Sequence, residues 1–140
     1  MDIEEVKEAI ELRYPYLLVD RVLEKDGKKI KALKNVTINE PFFQGHFPEP
    51  GPSVMPGTMI VESMAQVAGI LAQRELGGGG VGYLVGVDGA RFREKVKPGD
   101  RLVLEGEISR ARASICRVEL EGYVDENLVA EAEVTLAFDE

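Results

Sequence analysis

The chain has 140 residues, and 25 acidic against 17 basic side chains give it a net charge of −8. That length fits a single domain, residues 1–140, able to bury on the order of two thirds of its unfolded surface. The acidic balance argues against non-specific nucleic-acid binding and against anionic membrane surfaces, since Lys and Arg supply the affinity for phosphate.

The opening Met1-Asp2-Ile3-Glu4-Glu5 lacks the basic-then-apolar layout of a signal peptide, so the expected location is the cytoplasm. Ile3, Val6 and Ile10 share one face of a short helix expected to end near Leu12, before Pro15. Tyr16 to Glu24 reads as a strand, Asp26-Gly27 with its lysine neighbours as a hairpin turn, and Lys29 to Val36 as the return strand. Asp20-Arg21 in the first strand reads as an exposed ion pair without a catalytic role.

His46, the only histidine, lies between Gly45 and Phe47 in a passage holding five of the seven prolines. Such chain is stiff and poor in backbone donors, which suits a fixed wall better than a strand. A lone histidine is either a structural residue or half of a proton-transfer pair. From Pro56-Gly57 onward the sequence is helical and ends at the glycine run 77–80. Its apolar residues, Met59, Ile60, Val61, Met64, Ala65, Val67, Ala68, Ile70, Leu71 and Ala72, go round every face, as in a buried central helix. Glu62, Gln66 and Gln73 interrupt it too often for a membrane span and share one stripe with Gly69. Glu62 is then either a buried carboxyl raised toward general-acid range or an exposed complement to the helix N-terminus.

The glycine run has no strand before it and no Gly-Lys-Ser/Thr after it, so it reads as a helix terminator and flexible connector rather than a phosphate loop. Val81 to Val87 reads as a buried strand, with Gly82 and Gly86 marking curvature or close backbone approach. Arg91, Arg93, Lys95, Lys97 and Arg101 form a local basic run, either a steering patch for an acidic partner or an ordinary solvated face with internal ion pairs. Three alternating strands finish the chain. Leu102, Leu104 and Ile108 oppose Arg101, Glu105 and Glu107; Cys116, Val118, Leu120 and Val124 oppose Arg117, Glu119 and Glu121; Leu128 to Phe138 opposes Glu131, Glu133 and Thr135. Cys116, the only cysteine, sits on an apolar parity; no internal disulfide is possible, and one His with one Cys makes no ordinary zinc site. Composition and periodicity thus describe an α+β protein, a soluble antiparallel sheet covering a buried helix.

The segments Asn35-Val36-Thr37-Ile38-Asn39-Glu40-Pro41-Phe42-Phe43-Gln44-Gly45-His46-Phe47-Pro48, Val54-Met55-Pro56-Gly57 and Glu62-Ser63-Met64-Ala65-Gln66 closely resemble the bacterial 3-hydroxyacyl-acyl carrier protein dehydratases. The resemblance runs from Tyr14-Pro15-Tyr16 to Ala137-Phe138, with a longer Glu49-Pro50-Gly51-Pro52-Ser53 passage than the family pattern and Glu11-Leu12-Arg13 where Pro-His often precedes Arg-Tyr-Pro. It implies the hot-dog fold, a curved antiparallel sheet wrapped round one long helix. It also implies reversible dehydration of (3R)-3-hydroxyacyl thioesters to trans-2-enoyl thioesters in fatty acid biosynthesis, without cofactor or metal.

By the same resemblance His46 is the base, Glu62 the acid and the Gly57 N–H the receiver of charge on the thioester oxygen. Gln66 orients Glu62 or else satisfies core backbone. Phe47, Met55, Met59 and Ile60 line an acyl tunnel or belong to the general core. The implied partner is acyl carrier protein bearing the substrate on phosphopantetheine, steered by Arg91, Arg93, Lys95, Lys97 and Arg101. The histidine and the acid are expected from different subunits of a homodimer, three of which make a hexamer, with no nucleic acid and no membrane insertion. Glu rather than Asp at position 62 resembles the branch that dehydrates without isomerising. A hot-dog thioesterase and a non-catalytic acyl-thioester-binding module are the competing readings.

Overall fold

A computed structural model describes residues 1–77 and 81–138. At its centre is the helix α2 (Gly57–Leu76), preceded by a short N-terminal helix α1 (Ile3–Ala9). Pro56 caps α2 with its fixed φ of −58°, and Gly77 closes it in the left-handed conformation (φ 63°), donating its N–H to the Gln73 carbonyl. The rest of the expected connector, residues 78–80, lies outside the described residues. Ile60, Met64, Val67, Ala68, Ile70, Leu71 and Ala72 are all buried, so the all-round apolar pattern does mark an enclosed helix. Among the described residues no helix is long and apolar enough to cross a membrane.

Six strands surround α2: β1 (Arg21–Asp26), β2 (Lys29–Asn35), β3 (Gly82–Phe92), β4 (Arg101–Arg112), β5 (Ile115–Val124) and β6 (Asn127–Phe138). They form one antiparallel sheet in the order β1-β2-β4-β5-β6-β3. Helix α2 touches β2, β3, β4, β5 and β6, which requires the sheet to curve round it. Leu102, Leu104, Cys116, Val118, Leu120, Ala130, Val134 and Leu136 point inward, and the alternation read from the sequence holds in β4, in β5 and in β6 from Ala130 onward; at the start of β6 a register shift buries Val129 rather than Leu128. The β1–β2 hairpin pairs Asp26 with Lys29 across Gly27-Lys28, and the positive φ of Gly27 (58°) supplies the turn.

Four expectations differ from the structure. Asp20 does not pair with Arg21: its carboxylate accepts the Asn35 N–H and lies 3.9 Å from the Lys34 ammonium. Helix α1 stops at Ala9 rather than Leu12, because Ile10 turns extended (φ −135°) and the Arg13 guanidinium takes the Lys7, Ile10 and Leu12 carbonyls. Tyr16 to Asp20 is not strand: the Tyr16 and Leu17 N–H groups donate to the Arg13 carbonyl, Gln66 takes the Leu18 N–H and the Tyr16 carbonyl, and only Asp20 N–H reaches β2, at the Leu33 carbonyl. Nor is β3 buried. It runs along the sheet edge, with Tyr83, Leu84, Val85, Val87 and Phe92 all 40% exposed or more. Its glycines mark both expected features: the pairing with β6 slips between Leu84 and Gly86, and the Phe138 ring sits 2.7 Å from where a Cβ on Gly82 would stand.

The sheet's outer surface carries a ladder of like charges. Glu105 faces Glu121, Glu107 faces Glu119, and these continue onto β6 as Glu119 with Glu133 and Glu121 with Glu131. The nearby Tyr123 hydroxyl is pushed up by partial burial and by Glu121, Glu105 and Glu131. Like charges directly opposite cost on the order of 0.2–1 kcal/mol per pair and are screened by salt. Glu121→Lys is therefore expected to raise Tm at low salt, with the gain shrinking in high salt; an unchanged or lower Tm would show that the ladder carries no repulsion.

Candidate active site

His46 is reached from β2 through a 3-10 turn, Pro41–Gln44, in which Pro41 supplies the fixed φ of a first helical residue. The chain then folds back so that His46 N–H donates to the Phe42 carbonyl at 3.0 Å. On the far side, Val54 C=O lies 2.7 Å from His46 Nδ1. A carbonyl can only accept, so Nδ1 carries the hydrogen, and in the neutral ring it is Nε2 that keeps the lone pair. One backbone oxygen thus sets the ring's tautomer to that of a base presented through Nε2. Phe47 beside it holds a left-handed φ of 55°, a strained conformation for a bulky residue, with its ring 4.2 Å from the imidazole. The Glu49–Ser53 passage folds on itself: Gly51 N–H donates to the Pro48 carbonyl at 2.9 Å, and a Cβ at Gly51 would stand 2.8 Å from the Phe47 oxygen. Only glycine fits that approach.

Glu62 is half-buried at the sixth residue of α2, beyond the turn where a helix dipole acts most strongly. Burial holds its carboxyl above the ordinary value of 4.5, while the N–H it receives from Gln66 pulls the other way. The reading as an exposed complement to the helix N-terminus does not fit that environment. Gln66 is 3% exposed and its amide has one possible orientation. Its Oε1 must accept the Leu18 N–H (2.8 Å), so its Nε2 donates to the Tyr16 carbonyl (2.7 Å) and to Glu62 Oε2 (2.9 Å). With Oε2 occupied by a donor, the proton of a neutral Glu62 belongs on Oε1. One side chain thus bonds both to core backbone and to the Glu62 carboxyl.

Gly57 is the first residue of α2, and Pro56 offers its N–H no side-chain cap, so this donor is one of the free N–H groups of a helix start. The Phe92 ring stands over it, 3.1 Å from where a Cβ would be, and Met55 N–H is held by the Val96 carbonyl at 2.7 Å. These two contacts bring the basic run alongside the helix start. All five of its members, Arg91, Arg93, Lys95, Lys97 and Arg101, are exposed, and among the described residues only Arg93 has an ion pair, with Glu131 at 3.1 Å. Met55 and Ile60 are buried in the core, Met59 packs against it partly exposed, and Phe47 is 54% exposed.

No hydrogen bond within the chain joins His46 to Glu62; their partners are Val54 and Phe42 on one side, Gln66 on the other. Among the described residues no group of His, Cys, Asp and Glu is arranged to hold a metal ion. Nothing in the residue types marks Val54, Tyr16 and Leu18, which contact His46 and Gln66 through peptide groups. Phe92 was also missed, because its place over Gly57 depends on how β3 pairs with β6.

Residues 11–133 match the model of the FabA-like domain. The chain is 53% identical over 139 residues to 3-hydroxyacyl-acyl-carrier-protein dehydratase FabZ of Thiobacillus denitrificans, covering 96% of this chain and 94% of that one. It is 50% identical over 139 residues to the FabZ of Listeria monocytogenes serotype 4b, with 98% and 95% covered. Among solved structures, the dehydratase heterocomplex ApeI:P from Xenorhabdus doucetiae superposes with a TM-score of 0.81 over 96% of this chain and 91% of that one, at 16% identity. The chain belongs to the FabA-like family of 3-hydroxyacyl-acyl-carrier-protein dehydratases, built on the hot-dog fold.

Proposed function

We infer that the protein is a hydro-lyase that dehydrates 3-hydroxyacyl-acyl carrier protein thioesters in fatty acid biosynthesis. The observation that carries this is 50% identity over nearly the whole chain to dehydratases so named. For the finer reading, a (3R)-3-hydroxyacyl thioester and its trans-2-enoyl product, His46 Nε2 removes the proton on the carbon next to the carbonyl. Glu62 Oε1 protonates the departing hydroxyl, and the Gly57 N–H receives the charge that builds on the thioester oxygen. The free Nε2, the raised Glu62 carboxyl and the uncapped Gly57 donor support these roles. Phe47 and Met59, the partly exposed members of the candidate wall, and Met55 and Ile60 behind them are proposed to line the acyl tunnel.

A site built from two chains, one lending His46 and the other Glu62, belongs to the same proposal. The exposed apolar edge of β3 is the surface we propose for that homodimer, since an unpaired strand edge is a template for a second copy; three dimers would make the hexamer. The basic run beside Gly57 is the proposed approach for the acidic carrier protein, and the glutamate ladder on the outer sheet surface would repel it. A cytoplasmic location belongs to the same proposal.

Purified protein mixed with a short 3-hydroxyacyl or enoyl thioester should interconvert the two, followed by absorbance of the enoyl thioester. Thiol release without enoyl product would replace the reading with a thioesterase; no turnover, even on carrier-bound substrate, would leave binding alone. The Gly57 donor has its own test. Proline at the first helical position suits both the fold and the extended Pro56 before it, yet it removes the N–H. Gly57→Pro is expected to lower kcat by about 10²–10³-fold. Gly57→Ala, which keeps the N–H and asks the Phe92 ring to move a few tenths of an ångström, controls for the contact; equal losses in both would remove the donor role.

A further inference from the structure

Among the described residues three polar side chains are buried: Ser63, Gln66 and Lys34. A buried polar group costs stability unless it is paired, so each should be accounted for by what it holds. Ser63 bonds to the Met59 carbonyl of its own helix, and Gln66 holds Glu62. Lys34, on β2 and with 4% of its side chain exposed, reaches two carboxylates on two other segments. Its ammonium donates to Glu40 Oε1 and lies 3.9 Å from Asp20 Oδ2.

Both partners lead to the site. Glu40 is the residue from which the 3-10 turn to His46 starts, and its carbonyl accepts the Phe43 N–H at 3.1 Å. Asp20 ends the segment whose Tyr16 carbonyl and Leu18 N–H fix the Gln66 amide. Asp20 is itself anchored to β2, its N–H on the Leu33 carbonyl (2.9 Å) and its Oδ2 accepting the Asn35 N–H (2.7 Å). We propose that Lys34 is a positioning residue: clasped between Glu40 and Asp20, it locks the start of the histidine turn to the segment that holds Glu62's amide. The inference rests on the reading of His46 and Glu62 as base and acid. Without the ammonium, the Glu40 carboxylate, whose side chain is 15% exposed, would lose its cation, and the start of the histidine turn would lose its tie to Asp20.

The test uses the fact that the chain has a single histidine, so its ¹⁵N side-chain signals are unambiguous. In the native protein they should show the Nδ1–H tautomer. Lys34→Met is expected to lower kcat about 10- to 100-fold with KM little changed, and to bring in the Nε2–H tautomer. Glu40→Gln, which keeps an oxygen for the ammonium, should do the same more mildly, and it decides the matter if Lys34→Met does not fold. A folded variant with native kcat and native tautomer overturns the proposal. So does one in which activity and Tm fall together while the tautomer stays native, since that is loss of stability alone. If the native protein fails to dehydrate, the dehydratase reading falls, while the tautomer comparison still judges the clasp.

Discussion

His46→Ala is expected to lower kcat for dehydration by about 10²–10⁴-fold, the usual worth of a positioned general base, with the fold intact. The side chain is partly exposed, and its removal takes away one bond to a backbone carbonyl rather than a piece of the core. The informative experiment mixes this inactive variant with inactive Glu62→Gln and allows the subunits to exchange. If each site takes its histidine from one chain and its acid from the other, a mixed dimer has one doubly defective site and one intact site. Random exchange would then restore up to about a quarter of the native rate per subunit. Sites built within one chain would restore nothing, because every site would still carry one of the two lesions. Recovery would also place both residues in the same reaction, which neither single variant can do.

The long central helix was legible because two independent signals agree. Pro56 and Gly77 bracket it, and apolar residues on every face leave no solvent side to present. The closing strands were legible for the complementary reason, a strict alternation with glutamates outward. Tyr16 to Asp20 misled because Leu18 and Val19 are buried as strand residues would be, although most of this segment's backbone bonds go to Gln66 and the Arg13 carbonyl instead of to a neighbouring strand. Val81 to Val87 misled because apolar pattern cannot say whose surface does the covering; within one chain it is an exposed edge. His46 and Glu62 stood out by residue type and motif, but the His46 tautomer depends on the Val54 carbonyl, an atom every residue possesses. Lys34 had a readable signal: it shares parity with the inward Ile30 and Ala32, so alternation alone places this lysine inside.

Glu62→Gln is the second large effect expected, about 10²–10⁴-fold in kcat, because the amide keeps the shape and a partner for Gln66 while losing the proton to give. Its pH behaviour separates an acid from a merely polar wall. In the native enzyme the dehydration rate should fall as pH rises through Glu62's elevated pKa, and the residual rate of Glu62→Gln should lack that limb. Stability gives the same answer without turnover. The folded carboxyl binds its proton more tightly than the unfolded one, so between the ordinary 4.5 and the raised value the native state holds more protons, and stability drops with rising pH. The cost is absent below that window and complete above it. Glutamine has nothing to ionise, so the Tm of Glu62→Gln relative to native should climb across the window and level off beyond it. A Tm difference that stays constant from acid to neutral pH would mean that burial does not raise this carboxyl, and the case for Glu62 as the acid would lose its physical basis.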